Sequence, residues 1–440
     1  MLYKNKFSFG AAVANQSGAM EADTIFKNGR SSKSLMSRVN SLRKLLLLAL
    51  FLPHVVLAQS VYISPDIKPH VEFIEKCNTS PVDYIMGLFE QYDVVVLGER
   101  DHRDTTQYIL IQQILSDPRF IDKVGNVLTE VGVYNMRDEL NSVLQTDYQN
   151  SSALDKALAS VNFYLQWIPL WDKTNYIQLQ KDIYYINKKV PTHKKINMYP
   201  TDVQFSWKLN DIGTAAKYRP FFKILDYRDL IMGNNAIDAL YKIFSEERKK
   251  ALIIYNTPHS CKFVYEDTGS PHHFAYQVIE DHFPGRVANV ALNCAVLERY
   301  NGLYTGLSNN GKWDAAFAAC DNKSVGFDLS GTIFGDDTFD LFSAKTDKSF
   351  KDVYHGFIFY KPVSEWISGG ACPIFSNLDK SYVREELARR FMIFQGQSEL
   401  TEEFKDELYN SVIKNNSYKI FSGEILQTIN NQIERYYKPN

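Results

Sequence analysis

The chain has 440 residues, of which 45% are hydrophobic and 23% charged, with a formal net charge of −2. That is ordinary globular composition and excludes an intrinsically disordered chain. The length suits one large α/β domain with additions, or two domains.

Residues 1–35 are polar and lack apolar periodicity. Met36 then opens "MSRVNSLRKLLLLALFLPHVVLAQS", with Arg38, Arg43 and Lys44 as a positive region and Leu45–Leu52 as an apolar core. Val56-Leu57-Ala58 is a small-residue cleavage site before Gln59, so residues 1–58 read as an N-terminal extension with a signal peptide at about 36–58. A periplasmic or secreted protein is expected, with no stable membrane span after cleavage; the alternative is an anchor that is never cut. Without residues 1–58 the chain keeps 41 basic and 49 acidic residues, a net −8. No basic stripe is visible, and nucleic-acid binding, which rests on cationic surface, is not expected. The cysteines are Cys77, Cys261, Cys294, Cys320 and Cys372. Their number is odd and no C-x-x-C spacing occurs, which gives no thiolate zinc site.

"YDVVVLGE" (Tyr92–Glu99) is a short, continuous apolar run, as in a strand covered on both faces. A helix is predicted from Thr105 to about Asp117, capped by Asp104 and stopped by Pro118. "NVLTEVG" (Asn126–Gly132) reads as a second strand. The stretch of about 137–189 reads as an inserted helical segment, too long for a simple crossover. Its Trp167 and Trp171 fit either core packing or the lining of a substrate pocket. "KINMYPTD" (Lys195–Asp202) is a third strand, Asp226–Glu247 a long helix, "KALIIYNTPHS" (Lys250–Ser260) a buried strand stopped at Pro258, and "RVANVALN" (Arg286–Asn293) a further strand. A helical tail runs from Lys380 to Tyr437. The alternation predicts an α/β fold: a mainly parallel sheet with helices on both faces and a helical insertion. The α/β domain is expected to span 59–378 and the tail 379–440.

In such sheets ligands sit beyond the carboxyl ends of the strands. Glu99 and His102 follow the first strand, Glu130 closes the second, Asp202 follows the third and His259 the fourth. Charged groups at a buried edge are costly unless they pair or work. A histidine beside carboxylates has a fixed tautomer and can take a proton from water. A second cation would stabilise the oxyanion formed on an ester carbonyl. Neither a G-x-S-x-G elbow nor an H-E-x-x-H helix occurs. Two histidines with carboxylates suit zinc or manganese, so a divalent metal on Glu99, His102, Glu130 and His259 is chemically open, although no spacing demands one. No other cofactor is implied. The pair His272–His273 fits a solvated loop or a metal or substrate contact.

Those same segments resemble the erythromycin esterase family. "LGERDH" (Leu97–His102) is similar to its G-E-x-x-H signature, and "TEVG" (Thr129–Gly132) to its second glutamate. "YRDLIMGNNAIDAL" (Tyr227–Leu240) is similar to its R-D-x-x-M-A-x-N helix, and "IIYNTPHS" (Ile253–Ser260) to its strand ending in H-N-x-H. "VYHGFIFYKPV" (Val353–Val363) looks like a closing strand. The resemblance implies an α/β fold with a deep cleft and His102 as the base that activates water. It also implies Glu99 and Glu130 as groups that orient His102 or share its proton, and Arg228 and His259 as groups that bind or polarise an acyl group. The alternative for Arg228 is a structural pairing with Glu99 or Glu130. Asn256 stands where the family has its first histidine; it can donate and accept hydrogen bonds at a substrate but cannot shuttle a proton.

The expected function is an exported hydrolase acting on an ester or related carbonyl of a small molecule, glycan or peptide. Two alternatives stand beside it: a Tiki-type metal-dependent peptidase, suggested by the wider superfamily, and a non-catalytic haem- or glycan-binding protein, suggested by the aromatic insertion.

Overall fold

In this computed structural model the described residues are 62–439, apart from 168–173, 208–222, 263, 268–269, 300–302, 342–347, 370–372, 396, 398 and 415–417. Side chains at 264–267, 270–273, 296–299 and 303–305 are also left undescribed. The signal segment 36–58, Trp171, Cys372 and the side chains of His272 and His273 therefore lie outside the description.

The central sheet has seven strands: β1 (Val94–Glu99), β2 (Asn126–Val133), β3 (Asn197–Asp202), β4 (Ala251–Asn256), β5 (Val287–Leu292), β6 (Val325–Asp328) and β7 (Gly356–Phe359). Their order is β6-β7-β5-β1-β4-β2-β3. Every neighbouring pair is parallel except β6 with β7. The fold is α/β, as the alternation predicts. Val94–Leu97 are fully buried, and each such side chain contributes roughly 1.5–3 kcal/mol by leaving water.

The pleat sends alternate residues to opposite layers. Val95 and Leu97 enter a core shared with α1 (Thr105–Ser116), α2 (Arg137–Gln145), α3 (Ser151–Leu165) and α4 (Thr174–Asn187). Val94 and Val96 enter the opposite core, with α5 (Arg228–Phe244) and α6 (Ala275–His282). Glu99 shares the parity of Val95 and Leu97, which places it under α1 and α4.

Several boundaries differ from the sequence reading by a few residues. The fourth strand ends at Asn256, and Thr257–Ser260 form a 3-10 turn, because Pro258 has no N–H to give a ladder. The third strand starts at Asn197, and the long helix runs from Arg228 to Phe244. Gly98 is confined where β1 ends: a Cβ there would meet Ser260 Oγ at 2.8 Å and the Val290 carbonyl at 3.2 Å.

Beyond the sheet lie α7 (Lys380–Gln395), α8 (Glu402–Ile413) and α9 (Gly423–Glu434). Between α8 and α9, Tyr418–Lys419 pairs antiparallel with Ile367–Ser368. Ser368 in turn bridges Asp104, and the Gly369 N–H donates to the Arg103 carbonyl at 2.7 Å. The loop between β1 and α1 is thus strapped on its outer side by distant chain. The described cysteines Cys77, Cys261, Cys294 and Cys320 are free thiols. Among the described residues no helix is long and apolar enough to cross a membrane.

Candidate active site

The loop after β1 is built around a buried ion pair. Arg100 Nη2 lies 2.7 Å from Asp104 Oδ2, and the guanidinium stacks on Trp366 at 4.1 Å. Its Nη1 donates to Asn293 Oδ1 at 3.1 Å and to the Tyr360 carbonyl at 2.9 Å. Asp104 caps α1 by accepting from Thr106 N at 2.8 Å. An ion pair this buried is held by its extra hydrogen bonds rather than by attraction alone. It fixes the ends of the short loop that presents His102.

Glu99 ends β1 and is 1% exposed. Its Oε1 accepts from Tyr108 Oη at 2.9 Å and Gln107 Nε2 at 3.3 Å. Its Oε2 faces His102 Nδ1 at 2.9 Å and Tyr176 Oη at 3.3 Å. The roughly four lone-pair sites of a carboxylate thus each have a donor.

Glu130 lies in an irregular part of β2, where the register against β3 shifts between Thr129 and Val133. Gly132, at φ +109°, takes the left-handed backbone that this bulge requires. Bulges re-aim side chains, and here the carboxylate is turned into a ring of donors. Its Oε2 accepts from the Asn256 N–H at 2.8 Å. Its Oε1 lies 3.5 Å from His102 Nε2, 3.4 Å from His259 Nε2 and 3.1 Å from Arg228 Nη1. Arg228 also clamps Asp202, with Nε and Nη2 each 2.9 Å from a carboxylate oxygen. Trp167 Nε1 donates to Asp202 Oδ2 at 2.8 Å. His259 Nδ1 is 2.6 Å from Asp229 Oδ1, which also accepts from the Ala275 N–H at 2.9 Å.

The result is a row of titratable groups: Glu99, His102, Glu130, His259, Asp229. Burial disfavours charge on His102, but Glu99 and Glu130 outweigh it and raise its pKa to about 10. Burial also opposes charge on His259, and Asp229 and Glu130 overcome it and raise its pKa well above the usual value. Burial would push Glu130 up, yet His259, His102 and Arg228 hold it well below the ordinary carboxylate range. Four carboxylates face one permanent cation here, so both imidazoles are driven to hold protons.

Glu99, His102, Glu130, Arg228, Asn256 and His259 all fall within this cluster. Arg228 makes the pairing with Glu130 that was the structural alternative, adds Asp202, and still lies 3.5 Å from His259 Nε2. The Asn256 side chain is turned to the Arg100 carbonyl, 3.2 Å from Nδ2. Asp229, Gln107, Tyr108 and Tyr176 were missed. Asp229 was within reach, since it adjoins Arg228 in the R-D pair; the tyrosines carry no local signal.

Among the described residues, no group of three or more His, Cys, Asp and Glu side chains is arranged to hold a metal ion. The Glu130 oxygen that both histidines face is also held by the Arg228 guanidinium, and a dication there would sit against a permanent cation.

No family model matches the chain, and no curated protein matches it. Solved structures that align with the chain include the erythromycin esterase EreC, a mutant in its open conformation, at 9% identity and TM-score 0.41, over 68% of this chain and 96% of that one. A Bacillus cereus protein aligns at 12% identity and TM-score 0.39, over 66% of this chain and 96% of its own. A succinoglycan biosynthesis protein aligns at 10% identity and TM-score 0.40, over 63% and 90%.

Proposed function

We propose that the chain is an exported hydrolase whose domain at 59–378 uses His102 to direct water at an ester or related carbonyl. The observation that carries this reading is the pair of imidazoles, each held through Nδ1 by its own carboxylate, whose Nε2 atoms face the same Glu130 oxygen at 3.5 and 3.4 Å. One imidazole can act as base while the other stays protonated. Water gives a proton to His102 Nε2 and its oxygen attacks the carbonyl carbon. The His259 imidazolium donates to the oxyanion, which is worth most in a dry, preorganised site. Collapse breaks the bond to the leaving oxygen, which takes the proton from His102. The products are an acid and an alcohol. Glu130, between the two rings, stabilises whichever one is charged.

The base works only when His102 is neutral. Its raised pKa therefore moves the rising limb of kcat/KM to alkaline pH, toward about 10, well above the ordinary histidine value. Initial rates on an activated ester between pH 6 and pH 10.5, roughly the span from imidazole to the raised value, check this. A plateau already reached at neutral pH contradicts it.

The cation-filled surroundings of Glu130 give a second expectation. Dialysis against EDTA leaves ester hydrolysis unchanged, and elemental analysis of protein purified without chelator finds no stoichiometric metal. Activity that vanishes with the chelator and returns with zinc or manganese favours the metal-dependent peptidase instead.

A further inference from the structure

Tyr176 and Asn175 open α4, in the helical insertion, and both are buried, at 4% and 1% exposed. Asn175 Nδ2 donates to the backbone carbonyl of His102. Tyr176 Oη lies 2.6 Å from His102 Nδ1 and 3.3 Å from Glu99 Oε2. One helical turn thus grips both the backbone and the ring of His102. The turn is itself held firmly. Asn162 on α3 and Gln180 on α4 exchange amide hydrogen bonds of 2.6 and 2.9 Å in the core, and Tyr108 packs edge-on to Tyr176 at 5.7 Å.

The protons around Nδ1 can be assigned. Tyr176 keeps its hydroxyl proton, because burial and then Glu99 push its pKa well above the usual value. A bare Nδ1 would put its lone pair 2.9 Å from the Glu99 carboxylate, which is repulsive. Nδ1 therefore carries a hydrogen, shared between Glu99 and the tyrosine oxygen, and the tyrosine O–H goes to Glu99 Oε2. In the neutral ring this leaves Nε2 as the proton acceptor.

We propose that Tyr176 is a positioning residue for His102: its hydroxyl closes a triangle with Nδ1 and Glu99 that fixes the ring's rotation and tautomer. The proposal rests on His102 being the base, and deepens that reading. A carboxylate alone accepts over a wide range of directions, whereas two partners on separate rigid elements leave the ring one orientation. The charged and titratable groups facing His102 include Glu99 and Asp101 from its own segment, Glu130 from β2 and Tyr176 from α4, with Tyr108 from α1 behind Glu99. Arg228 and His259 act on it through Glu130.

The test is Tyr176→Phe, which removes only the hydroxyl. kcat on an activated ester falls roughly ten- to a hundredfold, the size expected of one hydrogen bond to a charged group, with KM little changed. In protein labelled with 15N at histidine, the Nδ1–H resonance of His102, assigned by its absence in His102→Gln, shifts or exchanges away in Tyr176→Phe. The resonance needs no substrate. If it moves while even the wild type cleaves no ester, the positioning role stands and the hydrolase reading fails. If it stays unmoved in folded Tyr176→Phe, the inference is overturned whatever the activity. Should that variant not fold, Asn175→Ala loosens the same turn; an unchanged His102 resonance in it likewise overturns the inference.

Discussion

His102→Gln is expected to lower kcat/KM on activated esters by about 10²- to 10⁴-fold, the range that a positioned general base contributes. Glutamine fills nearly the same space and can still donate to Glu99, so the loop and its Arg100–Asp104 pair stay in place. The variant therefore keeps its fold, and the loss falls on the chemical step. Initial rates over a panel of acyl groups measure it, with thermal melting as the control. A variant as active as the parent, folded and free of contaminating esterase, ends the case for His102 as base. A loss of similar size in His259→Gln would show that both rings of the row are needed.

Arg228→Leu has the largest expected effect on stability. The guanidinium is 3% exposed and joins Glu130 to Asp202, themselves 2% and 1% exposed. Its removal strips buried Asp202 of its cation and takes from Glu130 the one permanent charge beside it, leaving only the two imidazoles. Breaking a buried ion pair from one side costs about 3–5 kcal/mol, a large part of a typical domain's total. Urea denaturation at neutral pH checks the size of the loss. The sign of its pH dependence is also fixed. In the parent, Glu130 has a depressed pKa, so the stability it contributes is present above the ordinary carboxylate range and is lost as pH falls through the lowered value. In Arg228→Leu Glu130 loses one of the charges that depress its pKa and takes up a proton more readily, so the gap to the parent narrows as pH falls. A variant as stable as the parent at neutral pH would show that Arg228 serves the substrate rather than the fold.

Much of the sheet could be read from the chain because buried parallel strands are written as unbroken apolar runs. Val94–Leu97 and Ala251–Tyr255 are of this kind, and Val287–Leu292 is interrupted only by Asn289. The antiparallel edge strand Val325–Asp328 was not legible, since four residues including Gly326 carry neither a run nor an alternation. The strand order also escaped, because β4 inserts between β1 and β2, and sequence does not encode that directly. For the site, the strand-end rule brought Glu99, Glu130, Asp202 and His259 to one edge on chemistry alone. Arg228 needed the family resemblance. Tyr108 and Tyr176 belong to helices whose rotation is set by tertiary contacts such as the Asn162–Gln180 pair, and nothing local distinguishes them from core tyrosines. The direction of Glu130 depends on the bulge at Gly132, a backbone event that a reading of apolar periodicity passes over.

The strap across the His102 loop bears on the order in which the site is assembled. A growing chain that has emerged as far as Phe359 already holds every strand of the sheet. It still lacks Ser368 against Asp104, and Tyr418 and Lys419 behind Ser368. Contacts so remote along the polypeptide close late in folding. The scaffold can therefore form before the strap that holds the loop between β1 and α1, so ordering of that loop follows the sheet rather than accompanying it.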